Sequence, residues 1–241
     1  MTGTSLDGLD VALVEVSGHG LELRARYVAG HSLELGEVGE GLAILAEGGA
    51  MTASQITRLQ LDFSMVHVRA LREILDLRKS EKPDLIAIHG QTLYHAPPLS
   101  WQMLQPAPIV AALGVPVVYD LRAADLAAGG QGAPITPLAD ALLFSAREVT
   151  RVIVNLGGFC NITILPPKRS GMQLDRISGC DVCSCNLWLN GWYRMFYRGA
   201  YDRDGREASM GKVQSGLEKN MLERLQAQRW MKHSLGNDDH A

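Results

Sequence analysis

A chain of 241 residues, 46% hydrophobic and 20% charged, is long enough for one large domain or two ordinary ones and has a soluble, globular balance. A net charge of −3 gives no pull towards nucleic acid or an anionic membrane, no apolar run approaches the ~18 residues of a spanning helix, and no signal peptide is visible. Cys160, Cys180, Cys183 and Cys185 crowd into one short region instead of spreading as in a secreted disulfide scaffold, which points to a reducing cytoplasm.

The chain opens on Gly3-Thr4-Ser5-Leu6-Asp7-Gly8-Leu9-Asp10, a polar turn bounded by glycines, followed by Val11 to Val16, which reads as a buried strand. Such a turn can converge backbone N–H groups on an anion, with Thr4 and Ser5 as extra donors and Asp7 as a metal ligand; an ordinary Asp-Gly hairpin explains it equally well. Ser17 to Gly20 reads as a hairpin turn, and Leu21 to Val28 alternates as an antiparallel partner. A short helix is expected over Glu40 to Ala46. A long one, capped by Thr52 or Ser54, carries Ile56, Leu59, Phe63, Val66, Leu71, Ile74 and Leu75 at helical spacing to about Lys79. Leu85 to Ile88 is a short strand running into His89-Gly90-Gln91-Thr92. Ile109 to Leu113 reads as helix, and Val115 to Tyr119 as a strand that delivers Asp120, Arg122 and Asp125 to its C-terminal end.

The Gly-rich stretch Ala127 to Pro134 then lies where ligands bind in α/β sheets. Pro137 to Phe144 is a short helix. From Thr150 a second unit begins. Arg151 to Val154 is a strand, Asn155-Leu156-Gly157-Gly158 a turn, and Asn161 to Leu165 the returning strand, which repeats the design of the N-terminus. Gly179 to Asn186 reads as a small-residue loop before an apolar helix over Leu187 to Tyr197. Tyr201 to Gly205 is a polar turn, and a last helix covers Lys212 to Trp230.

Several side chains suggest chemistry. Asp181, in the small-residue loop, suits a general base as well as a plain residue flanking a helix start. Asp120, Arg122 and Asp125 read as a substrate clamp or as a surface ion-pair group. Gln91 and Thr92 suit a neutral sugar, whereas His89 and His95 read as structural. Cys180, Cys183 and Cys185 lack a fourth ligand at zinc-site spacing, with His233 and His240 far along the chain, and read as lining of the loop.

These segments, in this order, resemble the anhydro-N-acetylmuramic acid kinase family of the actin/Hsp70/sugar-kinase superfamily. The likeness rests on Gly3 to Asp10, His89 to Thr92, Asp120 to Arg122 with Asp125, Ala127 to Pro134, Asn155 to Gly158 with Asn161 to Thr163, and Tyr201 to Gly205. It implies an α/β, two-lobed actin-like ATPase (ribonuclease H-like) fold, with a first lobe over 1–149 and an incomplete second lobe over 150–241. It further implies ATP and Mg²⁺ between the lobes, an anhydro-amino-sugar substrate, and a reaction that opens the 1,6-anhydro ring while phosphorylating O6 in peptidoglycan recycling. Gly3, Thr4, Ser5, Leu6, Asp7, Gly8, Leu9 and Asp10 would be the first phosphate loop, with Asp7 on the metal side. Asn155, Gly157 and Gly158 would be the second, Asp181 the catalytic base, and Gln91, Thr92, Asp120 and Arg122 the sugar site. A cytoplasmic homodimer with no nucleic-acid or membrane partner is expected. Against the family pattern the chain is shortened at both ends, and Asp181-Val182-Cys183-Ser184-Cys185-Asn186 replaces Asp-Thr-Gly-Pro-Gly-Asn. The alternative is a non-catalytic fragment that binds only sugar or phosphate.

Overall fold

The computed structural model describes residues 1–3, 6, 8–78, 82–169 and 171–227. Thr2 meets Leu9 in an isolated antiparallel bridge, and the chain then runs through β1 (Leu9–Ser17) and back through β2 (Arg24–Leu33). The second half of β1 does not match the buried strand expected of it: Val14 and Val16 are 47% and 60% exposed, and only Leu9 is fully buried. The expected start of β2 is displaced too, because Gly20–Glu22 forms a 3-10 turn ahead of it.

Two helices follow, α1 (Glu37–Ala46) and the 26-residue α2 (Ala53–Arg78); α2 packs on the hairpin and α1 packs against α2. The start of α2 is fixed reciprocally: the Gln55 N–H donates to Thr52 Oγ1 at 3.3 Å, and the Thr52 N–H donates to Gln55 Oε1 at 2.8 Å. Of the predicted stripe, Phe63 and Ile74 are buried and Ile56, Leu59, Val66 and Leu71 pack partly buried against the core, while His67 and Ala70 join the buried face at the same helical spacing; burying a side chain such as Phe63 contributes about 1.5–3 kcal/mol. The continuation to Lys79 lies outside the described residues.

Two short strands, β3 (Ile86–Ile88) and β6 (Val117–Tyr119), pair in parallel, with Ile88 opposite Tyr119. Between them come an antiparallel hairpin, β4 (Gln91–Ala96) and β5 (Leu99–Met103), and then α3 (Pro106–Leu113). The hairpin has no counterpart in the sequence reading. Gly90 makes the reversal from β3 into β4 with φ +79°, and a Cβ there would sit 3.0 Å from the Met103 carbonyl. Gly114 ends α3 in the left-handed conformation, and its N–H donates to the Val110 carbonyl.

Beyond β6 come α4 (Ala123–Ala127) and α5 (Pro137–Phe144), the latter with the bounds the sequence predicts. A three-stranded antiparallel sheet follows: β7 (Arg151–Leu156), β8 (Phe159–Leu165) and β9 (Ser178–Ser184). Here the sequence reading is corrected. The stretch read as a small-residue loop from Gly179 is mostly a strand, because β8 offers it an edge to pair with. Helices α6 (Asn186–Phe196), α7 (Arg206–Met210) and α8 (Ser215–Ala227) complete the described chain. The end of the last helix, expected at Trp230, and the histidines at 233 and 240 lie outside it.

The result is a mixed α/β architecture of several small sheets and helices. Its main core gathers side chains from Leu9 to Val115, whereas beyond Val115 the buried hydrophobic residues among those described are Ala141 and Leu165. No helix among the described residues is long and apolar enough to cross a membrane.

Candidate functional site

Parallel pairing of β3 with β6 sets out the candidate site. Because Ile88 lies opposite Tyr119, the next residues, His89 and Asp120, leave the two strands side by side at their C-terminal ends. That edge is where α/β sheets present ligand-binding groups. Asp120 turns there with φ +49°, a left-handed conformation that Asp tolerates better than most side chains. Two residues on, Arg122 starts α4, and its Nη1 donates to the Gly132 carbonyl at 2.6 Å. The Gly132 N–H in turn donates to Asp125 Oδ2 at 2.7 Å, so Arg122 and Asp125 brace the Gly-rich loop from both sides.

Asp181 reaches the same place from β9. Burial lowers the Arg122 pKa, and the nearby Asp181 and Asp120 charges oppose that shift. His95 is likewise held below its ordinary value, first by burial and then by the Arg122 cation, with Asp181 acting against it. His89 is lowered by burial as well, and both Arg122 and Asp120 act on it. Asp181 is therefore not placed by a helix N-terminus. It stands within β9 opposite Asn161, next to a bulge at Val182 that is created where Cys160 pairs with Cys183 and Asn161 with Asp181.

Four buried polar atoms of this neighbourhood find no hydrogen-bond partner among the described residues: His89 Nε2, Gln91 Oε1, His95 Nε2 and Arg122 Nε. An unsatisfied buried polar atom costs about 1–3 kcal/mol, so a cluster of them suits a polar ligand able to supply the partners. His89 Nδ1 contacts the Gly90 carbonyl at 2.9 Å and His95 Nδ1 contacts Ser100 Oγ at 3.2 Å, which fixes both rings; His89 Nε2 is left uncommitted, while the Gln131 carbonyl of the Gly-rich loop also acts on His95. Sequence reasoning treated both histidines as structural. Only their burial beside a charged arginine distinguishes them, and that is tertiary information. Thr92, by contrast, spends its hydroxyl on Gln102 Oε1 at 2.7 Å, within the β4–β5 hairpin.

The first expected phosphate loop is seen in part, since Thr4, Ser5 and Asp7 lie outside the described residues. The Leu6 N–H donates to the Gly3 carbonyl at 3.2 Å, and Leu6 has φ 54°. A Cβ on Gly8 would lie 3.1 Å from the Leu33 carbonyl. Leu9 is fully buried and anchors the loop in the core, and Asp10 accepts a hydrogen bond from Ser32 Oγ on β2 at 2.5 Å. The second expected loop is the β7–β8 turn. Its Gly158 carbonyl accepts from the Cys185 and Leu187 N–H groups, and its Gly157 carbonyl from Asn186. Asn186 Nδ2 adds a bond to the Leu156 carbonyl. The turn carbonyls therefore cap α6, while the N–H groups of Gly157 and Gly158 meet no acceptor among the described residues. A turn with spent carbonyls and free amides fits an anion. No cluster of metal-ligating side chains is present among the described residues.

Residues 1–237 match the family model described as anhydro-N-acetylmuramic acid kinase. Curated proteins named anhydro-N-acetylmuramic acid kinase are also similar. That of Synechococcus sp. (strain CC9311) is 36% identical over 90% of this chain and 59% of its own length. That of Synechocystis sp. is 32% identical over 99% and 64%, and that of Bordetella parapertussis 35% identical over 92% and 57%. The chain thus spans about three-fifths of the length of these curated relatives.

Proposed function

The chain belongs to the anhydro-N-acetylmuramic acid kinase family, and from that premise we propose that it acts in opening the 1,6-anhydro ring of anhydro-N-acetylmuramic acid with water and phosphorylating O6. The product is N-acetylmuramic acid 6-phosphate, a step of peptidoglycan recycling in the cytoplasm. The observation that carries this reading is the meeting of Arg122, Asp120 and Asp181 beside the unsatisfied atoms of His89, Gln91 and His95. A sugar presents ring oxygens and hydroxyls that both donate and accept, which is what such a mixed set needs.

In this reading the Arg122 guanidinium and Gln91 Oε1 orient the sugar. Asp181 takes the proton of the water that attacks the anomeric carbon, as a carboxylate within hydrogen-bond reach can. The free amides of Gly157 and Gly158, together with Gly3 to Asp10, hold phosphate oxygens, and Mg²⁺ is assigned to Asp7. ATP, when bound, supplies the phosphoryl group, and the protein contributes positioning and charge stabilisation. The two-lobed actin-like arrangement, with lobes over 1–149 and 150–241, and the homodimer belong to the same proposal.

The test is calorimetric binding of the anhydro-sugar combined with ADP release in the presence of ATP and Mg²⁺. Binding is expected to weaken about 10- to 100-fold in Arg122→Ala and in Gln91→Ala, and Asp181→Asn is expected to abolish ADP release without loss of sugar binding. Sugar affinity unchanged in both site variants overturns the sugar site. Binding with no turnover in the unsubstituted chain replaces catalysis by binding alone.

A further inference from the structure

The cysteines of β8 and β9 are a sequence feature that the proposed chemistry leaves unused. Pairing in the sheet sorts them. Cys160 lies directly opposite Cys183, and Cys180 lies opposite Ile162, so these three side chains share one face. Asn161 and Asp181, opposite each other, share the other face. Residues facing each other across antiparallel strands have Cα atoms roughly 4.5–5.5 Å apart, inside the range of about 4.4–6.8 Å that a disulfide bridges. The Cys160 and Cys183 thiols lie within hydrogen-bonding reach of each other, and all four cysteines are free thiols. Cys185 is outside the strand, with its Sγ 3.9 Å from Asn186 Oδ1 and its N–H bonded to the Gly158 carbonyl, though it is near enough to act electrostatically on both Cys160 and Cys183.

We propose that Cys160 and Cys183 are a redox-active pair that closes to a cross-strand disulfide under peroxide and thereby locks the bulge that sets Asp181 against Asn161. In the first step one sulfur attacks hydrogen peroxide, becoming a sulfenic acid and releasing water. In the second the facing thiol displaces that oxygen as a second water and forms the S–S bond. Each sulfur gives up one electron, and the peroxide takes both. The bond joins β8 to β9 one residue from Val182, where the register shifts. Slippage that would turn Asp181 to the other face of the sheet is thereby closed off. The pairing of the strands carries this inference, and it stands whether or not the chain turns over a sugar.

Burial pushes the Cys160 and Cys183 thiols above the ordinary thiol range, so the experiment treats the chain with excess hydrogen peroxide at about pH 9.5, where more thiolate is available. Remaining thiols are alkylated under denaturing conditions and tryptic peptides are analysed by mass spectrometry. Cys160 falls in peptide 152–168 and the other three cysteines in 177–194. The expected product is a single link between the two peptides, assigned by fragmentation to Cys160 and Cys183, with Cys180 and Cys185 alkylated and the link reversed by dithiothreitol. Cys185→Ser should form the same link, and both Cys160→Ser and Cys183→Ser should lose it. A link to Cys180 or Cys185, a bond within peptide 177–194, or four alkylated cysteines overturns the pairing. Hydrogen exchange reads the second half of the proposal: amides of 177–184 should exchange at least several-fold more slowly after oxidation, and unchanged exchange overturns the lock.

Discussion

His67 is the most deeply buried base among the described residues whose titration the fold visibly opposes. It is 3% exposed on α2, with Nδ1 2.9 Å from the Phe63 carbonyl and its ring edge-on to Phe63 at 4.5 Å. Burial pushes its pKa down to about 4. The unfolded chain, with an ordinary histidine near 6.5, takes up a proton that the folded chain refuses. Stability from this residue is therefore complete above about pH 6.5 and declines as pH falls towards 4, by about 3 kcal/mol in all. Urea unfolding at a series of pH values should show this decline, and His67→Phe should flatten it. An equal slope in the variant would contradict the assignment. His89 and His95 shift in the same direction for the same reason, but they face Arg122, and so their cost belongs to the site.

At the scale of elements, local signals decided where helices begin, and tertiary pairing decided several strands. Thr52 and Gln55 announce the start of α2 because each side chain can satisfy the other's backbone N–H. Thr52→Ala is expected to cost about 1 kcal/mol in chemical denaturation, and Ser54→Ala, the other cap considered, less than about 0.5 kcal/mol. Equal losses would show that the cap is not where the hydrogen bonds put it. The periodicity of α2 and the Pro-initiated α5 were legible for comparable reasons. β9 was not: Gly179-Cys180-Asp181-Val182-Cys183-Ser184 has neither alternation nor β-branched density, and only the free edge of β8 makes it a strand. The β4–β5 hairpin was missed as well, since its turn is built on Pro97-Pro98 and its polar faces carry Gln91, Thr92 and Gln102.

Across the whole molecule, burial is uneven. The core up to Val115 is continuous, whereas the β7–β8–β9 sheet buries Thr163 and Leu165 and is held to α5 by a Thr163-to-Asp140 hydrogen bond of 2.7 Å. On α6, Trp188, Trp192 and Phe196 form a row of exposed rings, each 5.7 Å from the next. A cavity of 2020 Å³ also opens between the β1–β2 hairpin and β3, with Val14, Leu71, Ile74 and Ile86 in its wall. Apolar surface on this scale attracts amphiphiles. The chain is expected to enhance 8-anilinonaphthalene-1-sulfonate fluorescence several-fold at neutral pH while keeping its helical circular dichroism, and baseline dye emission would contradict that exposure. This unevenness could not be read from composition, which is that of an ordinary globular chain. Nor could spacing have brought Asp181 beside Arg122, 59 residues earlier in the sequence; only the family resemblance linked the two before the structure did.

The β7–β8 turn grips the first turn of α6 through three backbone hydrogen bonds and an asparagine side chain. β9, carrying Asp181, feeds into the same helix start through Cys185. Turn, strand end and helix are thus bolted at a single joint, so the glycine amides, the strand that carries Asp181 and the aromatic row of α6 share one anchor point.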